Sequence, residues 1–200
     1  NHAFVVNASQ AAGVFEIDVK RMKIDALCAT GHKWMRSGYG SGFVYISKEL
    51  QAASRQRTIG WLSVHDPYGM RNDEVNLKHD MASRAEIGCP HFAGVFALGA
   101  SIELMQSIGI ENIQARALEL NRMLTSRLGE RVLSPLGEER FRSAETLVAA
   151  DDPGKIVARL AQQNIFVTEK PQGFRVSTDF YNNEDDVEGL VAGLSACRWK

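Results

Sequence analysis

The stretch CATGHKWMRSGYGSGFVY, residues 28–45, places one lysine between an apolar run and a glycine-rich turn. Lys33 stands between a histidine and a tryptophan, and three glycines follow within nine residues. The apolar residues on either side predict two short strands, at 24–29 and 41–47, as in an α/β sheet. A lysine shielded from water holds its proton less firmly and can act as an amine nucleophile. The stretch therefore predicts a reactive amine beside a sheet, with an aldehyde as its partner.

Polar side chains follow two of the predicted strands. Asn7 and Gln10 come after a first buried strand at 3–6, and Thr30 and His32 come after the second strand. In an open parallel sheet, ligands bind beyond the carboxyl ends of the strands, so we expect both groups at one edge. There a threonine hydroxyl could hold a phosphate, a glutamine could donate to a phenolic oxygen, and an asparagine could address a ring nitrogen.

Composition and charge narrow the class of protein. The chain has 200 residues, 44% of them hydrophobic and 24% charged, and a net charge of −1, which gives no reason to expect a nucleic-acid or membrane partner. No apolar run approaches the roughly 18 residues of a membrane span. The three cysteines, Cys28, Cys89 and Cys197, are widely spaced, which argues against disulfides and favours a reducing cytoplasm. The histidines lack ligand spacing, so no metal site is expected.

The rest of the chain predicts two domains, 1–108 and 109–200. A helix from Lys48 and an extended functional loop at 56–90 precede an apolar helix at 92–108, which we interpret as core or dimer interface. A second, amphipathic helix ends at Gly129. A small α+β domain follows, with predicted strands at 131–135, 144–150, 165–170 and 173–178 and helices at 152–163 and 183–198.

Three ordered segments carry a specific resemblance. VNASQAAGVFEIDVKRMKIDALCATGHKWMRSGYGSGFVYI, residues 6–46, resembles the pyridoxal-phosphate region of the class V aminotransferases, the cysteine desulfurase-like branch of the fold type I enzymes. That family has Asp-x-x-Gln after one strand and Ser/Thr-Gly-His-Lys after the next. EIGCPHFAGVFALGASIELMQSIG, residues 86–109, resembles the family's Gly-Thr-Pro segment and helix, and GFRVSTDFYNNEDDVEGLVAGL, residues 173–194, resembles its Arg-x-Ser…Tyr-Asn segment.

The resemblance implies a fold and a set of roles. Residues 1–108 would be the C-terminal part of the large domain that binds pyridoxal 5'-phosphate (PLP), with only part of its sheet, and 109–200 a long helix with a small α+β domain. Lys33 would form the cofactor aldimine and move the proton at the substrate α-carbon. Thr30 would bind the phosphate, Gln10 would contact the pyridine hydroxyl, and His32 would lie beside the ring. Arg175 would bind the substrate carboxylate, for which a guanidinium is suited.

Several positions depart from the family pattern. Asn7 replaces the acid opposite the pyridine nitrogen, and an amide carries no charge to keep that nitrogen protonated. Cys89 replaces a threonine whose hydroxyl reaches the phosphate bound by the other subunit; a thiol is a poorer donor, and we expect a small buried residue there. The desulfurase nucleophile has no counterpart, since residues 155–175 lack a cysteine.

The resemblance favours a PLP enzyme acting on a small amino acid or keto acid. Amino transfer is the first reading, and a lyase or epimerase reaction of the same family is the alternative. A different alternative is a truncated or non-catalytic domain that keeps the fold and the dimer surface. A nucleotide site at the glycines of 37–42 fails, because no helix begins there to receive a phosphate. We expect a cytoplasmic homodimer.

Overall fold

The computed structural model describes residues 2–71 and 73–195. Residue contacts divide the chain into two compact units, unit 1 at Asn1–Ile108 and unit 2 at Gly109–Lys200. The predicted end of the last helix, with Cys197, lies outside the described residues.

Unit 1 contains a three-stranded sheet. The strands are β1 (Val5–Asn7), β2 (Ala26–Thr30) and β3 (Gly42–Ile46), in the order β1-β2-β3. β1 and β2 are parallel, with Asn7 opposite Cys28, so their carboxyl ends lie at the same edge. β3 runs antiparallel to β2, with Thr30 opposite Gly42.

One expectation about this sheet is wrong. The first strand is not buried: Val5 is 64% exposed, because β1 is an edge strand in the described chain. The short connection explains why β3 is antiparallel to β2. Only residues 31–41 connect them, and a parallel crossover needs a dozen or more residues, so the chain turns back instead.

Helices cover part of unit 1. α1 (Lys48–Ala53) begins at Ser47, whose side chain accepts from the Leu50 backbone N–H. The predicted loop at 56–90 is mostly irregular but includes the short helix α2 (Met81–Ala85). α3 (Phe92–Ile108) buries the side that carries Ser101 and Met105, and the Ser101 hydroxyl donates to the Met35 carbonyl at 2.6 Å. This contact fixes the turn after β2 against α3.

Unit 2 packs three helices on an antiparallel sheet. The helices are α4 (Ile110–Leu128), α5 (Pro153–Ala161) and α6 (Glu184–Ser195). The strands β4 (Glu145–Ala149), β5 (Thr168–Lys170) and β6 (Gly173–Ser177) have the order β4-β6-β5. The core of unit 2 consists of fully buried apolar residues from these elements: Leu124, Val148, Leu160, Phe174 and Leu194.

The strand predicted at 131–135 does not form. Only an isolated bridge joins Val132 to Val148, and a 3-10 turn occupies Gly129–Arg131. The other three strands predicted in unit 2 are present as β4, β5 and β6, each shorter than predicted. Among the described residues no single helix is long and apolar enough to cross a membrane; Phe92–Ile108 and Ile110–Arg131 pass that test only when counted together, by length and composition.

Candidate active site

The carboxyl edge of β1 and β2 brings the first predicted residues together. Asn7 and Thr30 are the last residues of their strands. Ser9, buried just beyond β1, joins them: its backbone N–H donates to Asn7 Oδ1 at 3.1 Å, and its hydroxyl oxygen accepts from the Thr30 backbone N–H at 3.2 Å. The sequence interpretation missed Ser9, although Asn-x-Ser after a strand is typical of an Asx turn.

The hydroxyl of Thr30 is buried. Thr30 Oγ1 has no hydrogen-bond partner within residues 2–71 and 73–195. A buried hydroxyl without a partner is energetically unfavourable, so such a group often marks the place of a missing ligand or water. This atom lies in the residue that the sequence assigns to a phosphate.

A tight turn follows β2. The Gly31 N–H donates to the Ser41 carbonyl and the Ser37 N–H to the Gly31 carbonyl, each at 2.8 Å. The Ser37 and Ser41 hydroxyls are 2.6 Å apart. A Cβ at Gly31 would lie 2.0 Å from the Ser41 hydroxyl oxygen and 2.2 Å from that of Ser37, so a larger residue would break this pair. The turn thus requires glycine immediately before the histidine and lysine.

Lys33 is exposed, which corrects the expectation of a shielded amine. Gly31, Trp34 and Met35 are the residues of this turn that face inward, with Trp34 8% and Met35 6% exposed. The Lys33 carbonyl accepts from the Arg36 N–H at 2.9 Å, which closes a tight turn. Because the turn buries its small and apolar members, the lysine side chain is left on the solvent side.

His32 has an aromatic neighbour that the sequence interpretation did not single out. The rings of His32 and Tyr39 are stacked, with centroids 4.4 Å apart and planes inclined by 21°. His32 is half-buried and Tyr39 is 80% exposed. In the sequence, only the position of Tyr39 as a single aromatic residue within the glycine-rich turn could have indicated this stack.

Two other predicted cofactor residues lie on the surface of unit 1. Gln10 is exposed, three residues beyond the end of β1. Cys89 is also exposed, in the irregular segment before α3, so the expectation of a buried residue there is wrong. Both described cysteines are free. Within the described chain, no group of three or more His, Cys, Asp or Glu side chains could hold a metal ion.

Arg175 belongs to unit 2. It lies on β6, and its Nη1 is 3.1 Å from Glu145 Oε1 on the adjacent β4. Its Nε is buried and finds no hydrogen-bond partner in the part of the chain that the structure describes. The guanidinium lines a surface pocket of about 460 Å³; the other lining residues are Ser134, Ser143, Glu145, Leu147, Lys170, Pro171 and Gln172.

The chain belongs to the class-V aminotransferase family, whose model matches residues 1–190. It is 33% identical over 131 residues to a probable cysteine desulfurase from Pyrococcus abyssi, covering 64% of this chain and 31% of the relative. It is 26% identical over 205 residues to the isopenicillin N epimerase of Amycolatopsis lactamdurans, covering 95% and 51%.

A solved structure shows the same fold. The apo cysteine desulfurase from Thermococcus onnurineus NA1 superposes with a TM-score of 0.84 at 26% identity, over 98% of this chain and 52% of that one. The predicted fold type I architecture is therefore confirmed for the part of the fold that this chain covers. The chain spans about half the length of that protein and of the epimerase, and less of the desulfurase from Pyrococcus.

The residues at the β1–β2 edge fit PLP, the cofactor on which this family depends. The Thr30 hydroxyl is a buried donor that has no partner among the described residues, which suits a phosphate oxygen. Lys33 offers an exposed amine two residues after Gly31, and Asn7 offers an amide at the end of the neighbouring strand. When bound, the cofactor supplies the electron sink for chemistry at an amino-acid α-carbon.

Proposed function

We propose that this chain is the Lys33-bearing part of a PLP-dependent enzyme that acts on a small amino acid or keto acid. The observation that carries the proposal is the buried hydroxyl of Thr30, which has no hydrogen-bond partner in the described part of the chain. Thr30 ends β2, three residues before Lys33. A hydroxyl that can donate a hydrogen bond to a phosphate and an amine nucleophile lie at the carboxyl end of the same strand. These are the two groups that would bind the phosphate and the aldehyde of a phosphate ester such as PLP.

Several residues of unit 1 are proposed to contact different parts of the cofactor. Lys33 would hold the cofactor through its side-chain amine, and the same amine, once displaced by the substrate amine, would accept or return the proton at the substrate α-carbon. Thr30 donates to the phosphate, and His32, held by its stack on Tyr39, flanks the ring. Gln10 contacts the phenolic oxygen, and Cys89 faces the phosphate of a second subunit.

Arg175 is proposed to bind the substrate carboxylate. A guanidinium offers five donors in a planar fork and pairs with a carboxylate through two parallel hydrogen bonds. Glu145 engages Nη1 at 3.1 Å and so restrains the side chain, while Nε has no hydrogen-bond partner among the described residues. The proposal is supported by the pocket beside Arg175, which has space for a small molecule.

Amino transfer remains the first proposal for the reaction, and an epimerase or lyase reaction is the second. The desulfurase relatives favour a lyase, but residues 155–175 contain no cysteine to accept sulfur by the family's route. The epimerase relative needs only proton removal and return, which one lysine can begin.

A non-catalytic role is the competing proposal. Asn7, Gln10 and Lys33 are all exposed, and exposure weakens electrostatic interactions with a bound ligand. In that case the chain keeps the fold and the dimer surface without catalysing a reaction.

A homodimer is proposed because α3 leaves Phe92 (58%) and Phe96 (75%) exposed on one side. The cytoplasm is proposed as the compartment because the described cysteines are free.

Absorption spectroscopy tests the proposal. Added PLP is expected to give a band at longer wavelength than the free cofactor, and Lys33→Ala is expected to lose it. Lys48→Ala, which removes an exposed lysine at the start of α1, is the matched control and should keep the band. A band of equal intensity in Lys33→Ala would contradict the role of Lys33, and a colourless wild-type protein in excess PLP would favour the non-catalytic alternative.

A further inference from the structure

The orientation of the Asn7 side chain is fixed by its own backbone. The Ser9 N–H donates to Asn7 Oδ1 at 3.1 Å. A backbone N–H needs an acceptor, so the oxygen of the amide, and not its nitrogen, must face Ser9. The amide nitrogen is therefore on the side of the amide group away from the Ser9 N–H.

Ser9 is itself held in place. It is 8% exposed, and its hydroxyl oxygen accepts from the Thr30 N–H at 3.2 Å. The Ala12 N–H bonds to the Ala8 carbonyl at 2.8 Å, which fixes the loop on either side of Ser9. Rotation of the Asn7 amide would place two N–H groups face to face, so the observed orientation is the stable one.

From this geometry, and resting on the proposed function, we infer that the chain holds the pyridine nitrogen of its cofactor in the unprotonated form. The Asn7 Nδ2 group is a donor, and a pyridine nitrogen can accept from it only while it carries no proton. A neutral amide also supplies no negative charge to stabilise a pyridinium ion. Asn7, through the restraint from Ser9, thereby sets the charge of the ring.

The consequence is a weaker electron sink than a carboxylate partner would give. A protonated ring nitrogen withdraws electrons from the substrate α-carbon more strongly than a neutral one, and the protein tunes this through the charge beside it. The inference therefore favours reactions in which a proton leaves and returns quickly at the α-carbon over reactions that need a long-lived carbanion.

Nitrogen NMR of the protein reconstituted with PLP labelled with 15N in the ring tests the inference. Near neutral pH, the bound label in the wild-type protein is expected at the position of a neutral pyridine. Asn7→Asp is expected to move it far upfield, to the position of a pyridinium ion. A pyridinium shift in the wild-type protein would overturn the inference, whether or not the Asn7→Asp variant folds.

Ser9→Ala is the matched control. It removes the hydroxyl that accepts from Thr30 but keeps the backbone N–H that orients Asn7. Cofactor affinity should fall while the nitrogen shift stays at the neutral position, and a pyridinium shift in this variant would contradict the assigned geometry. If the label does not bind to the wild-type protein at all, the proposed function fails, and the inference falls with it.

Discussion

Gly13 lies where the loop after β1 touches the turn that carries Lys33. Its φ is +97°, a value that L side chains rarely adopt, and an added Cβ would lie 2.2 Å from the Trp34 carbonyl oxygen. The Gly13 carbonyl accepts from Arg36 Nη1 at 3.0 Å. The absence of a side chain thus lets the two loops of the candidate site approach each other.

Gly13→Ala is expected to lower the free energy of unfolding by roughly 2–4 kcal/mol, from backbone strain and overpacking together. Urea denaturation followed by circular dichroism measures the change. Gly38→Ala is the control, since a Cβ there would have no described residue within 4 Å apart from its two chain neighbours, and its effect should stay within about 1 kcal/mol. Equal stabilities of the two variants would show that the loops do not meet as described.

For individual residues, the sequence predicted the position along the strands better than the burial of the side chains. Asn7 and Thr30 end neighbouring parallel strands, as expected, because strand ends can be recognised from apolar runs and the polar residues after them. The exposure of Lys33 and Cys89 was not predictable, since burial depends on which residues of a turn or loop face the rest of the fold. The link through Ser9 depends on tertiary geometry that spacing does not reveal.

A bidentate ion pair between Arg116 and Glu184 joins helices α4 and α6. Arg116 Nη1 lies 2.7 Å from Glu184 Oε1, and Nη2 lies 3.0 Å from Oε2. The hydrogen bond from Arg116 lowers the pKa of Glu184 from 4.5 to about 2. The pair also raises the pKa of Arg116. Because Glu184 begins α6, its charge also suits the positive end of the helix.

Glu184→Gln is therefore expected to lower stability in a pH-dependent manner. A carboxyl with a lowered pKa in the folded state stabilises that state above its unfolded pKa of about 4.5, and this contribution disappears as the pH falls towards about 2. Thermal denaturation across this range should show a wild-type advantage at neutral pH that vanishes in acid. Asp185→Asn, at the neighbouring exposed position, is the control, and an unchanged difference in acid would contradict the assignment.

A buried hydrogen bond connects α4 to β4. Asn121 Nδ2 donates to Thr146 Oγ1 at 2.7 Å, and the two residues are 2% and 1% exposed. Asn121→Ala should destabilise the protein by about 1–3 kcal/mol, because it leaves the threonine hydroxyl buried without this donor. Denaturant titration measures it. The double variant Asn121→Ala/Thr146→Val should lose less than the sum of the single variants, whereas additive losses would argue against a direct bond.

Most elements were predictable, and the failures have identifiable causes. β2 was predicted at 24–29 and lies at Ala26–Thr30, because its apolar run is bounded by turn residues on both sides. The strand at 131–135 failed because pairing reduces to one bridge, which apolar content alone does not reveal. The antiparallel direction of β3 does not follow from its apolar residues, because strand direction depends on the length and path of the connection.

At the scale of the molecule, α3 presents exposed apolar side chains. Phe92, Val95 and Phe96 are 58%, 49% and 75% exposed. Exposed apolar clusters of this kind commonly mark interfaces. If the proposed homodimer uses these side chains, Phe96→Asp should convert dimer to monomer in light scattering. Gln106→Glu, an exposed change on the same helix, should not, and a wild-type monomer would contradict the proposal.

The family was recognisable from sequence because three motifs occur in a fixed order, not because of composition. The segments at 6–46, 86–109 and 173–194 cover both units, and the family model spans the same region. The reaction was not recognisable in the same way. The relatives of this chain include a probable cysteine desulfurase and an isopenicillin N epimerase, so family membership alone does not select the reaction.

The proposed attachment of PLP to Lys33 is most directly tested by borohydride reduction followed by peptide mass spectrometry. Reduction fixes a cofactor–amine adduct as a stable mass increase on one peptide. The account predicts that this increase lies on the peptide containing Lys33 and nowhere else in stoichiometric amount. An increase spread over surface lysines, or concentrated on another lysine, would contradict it.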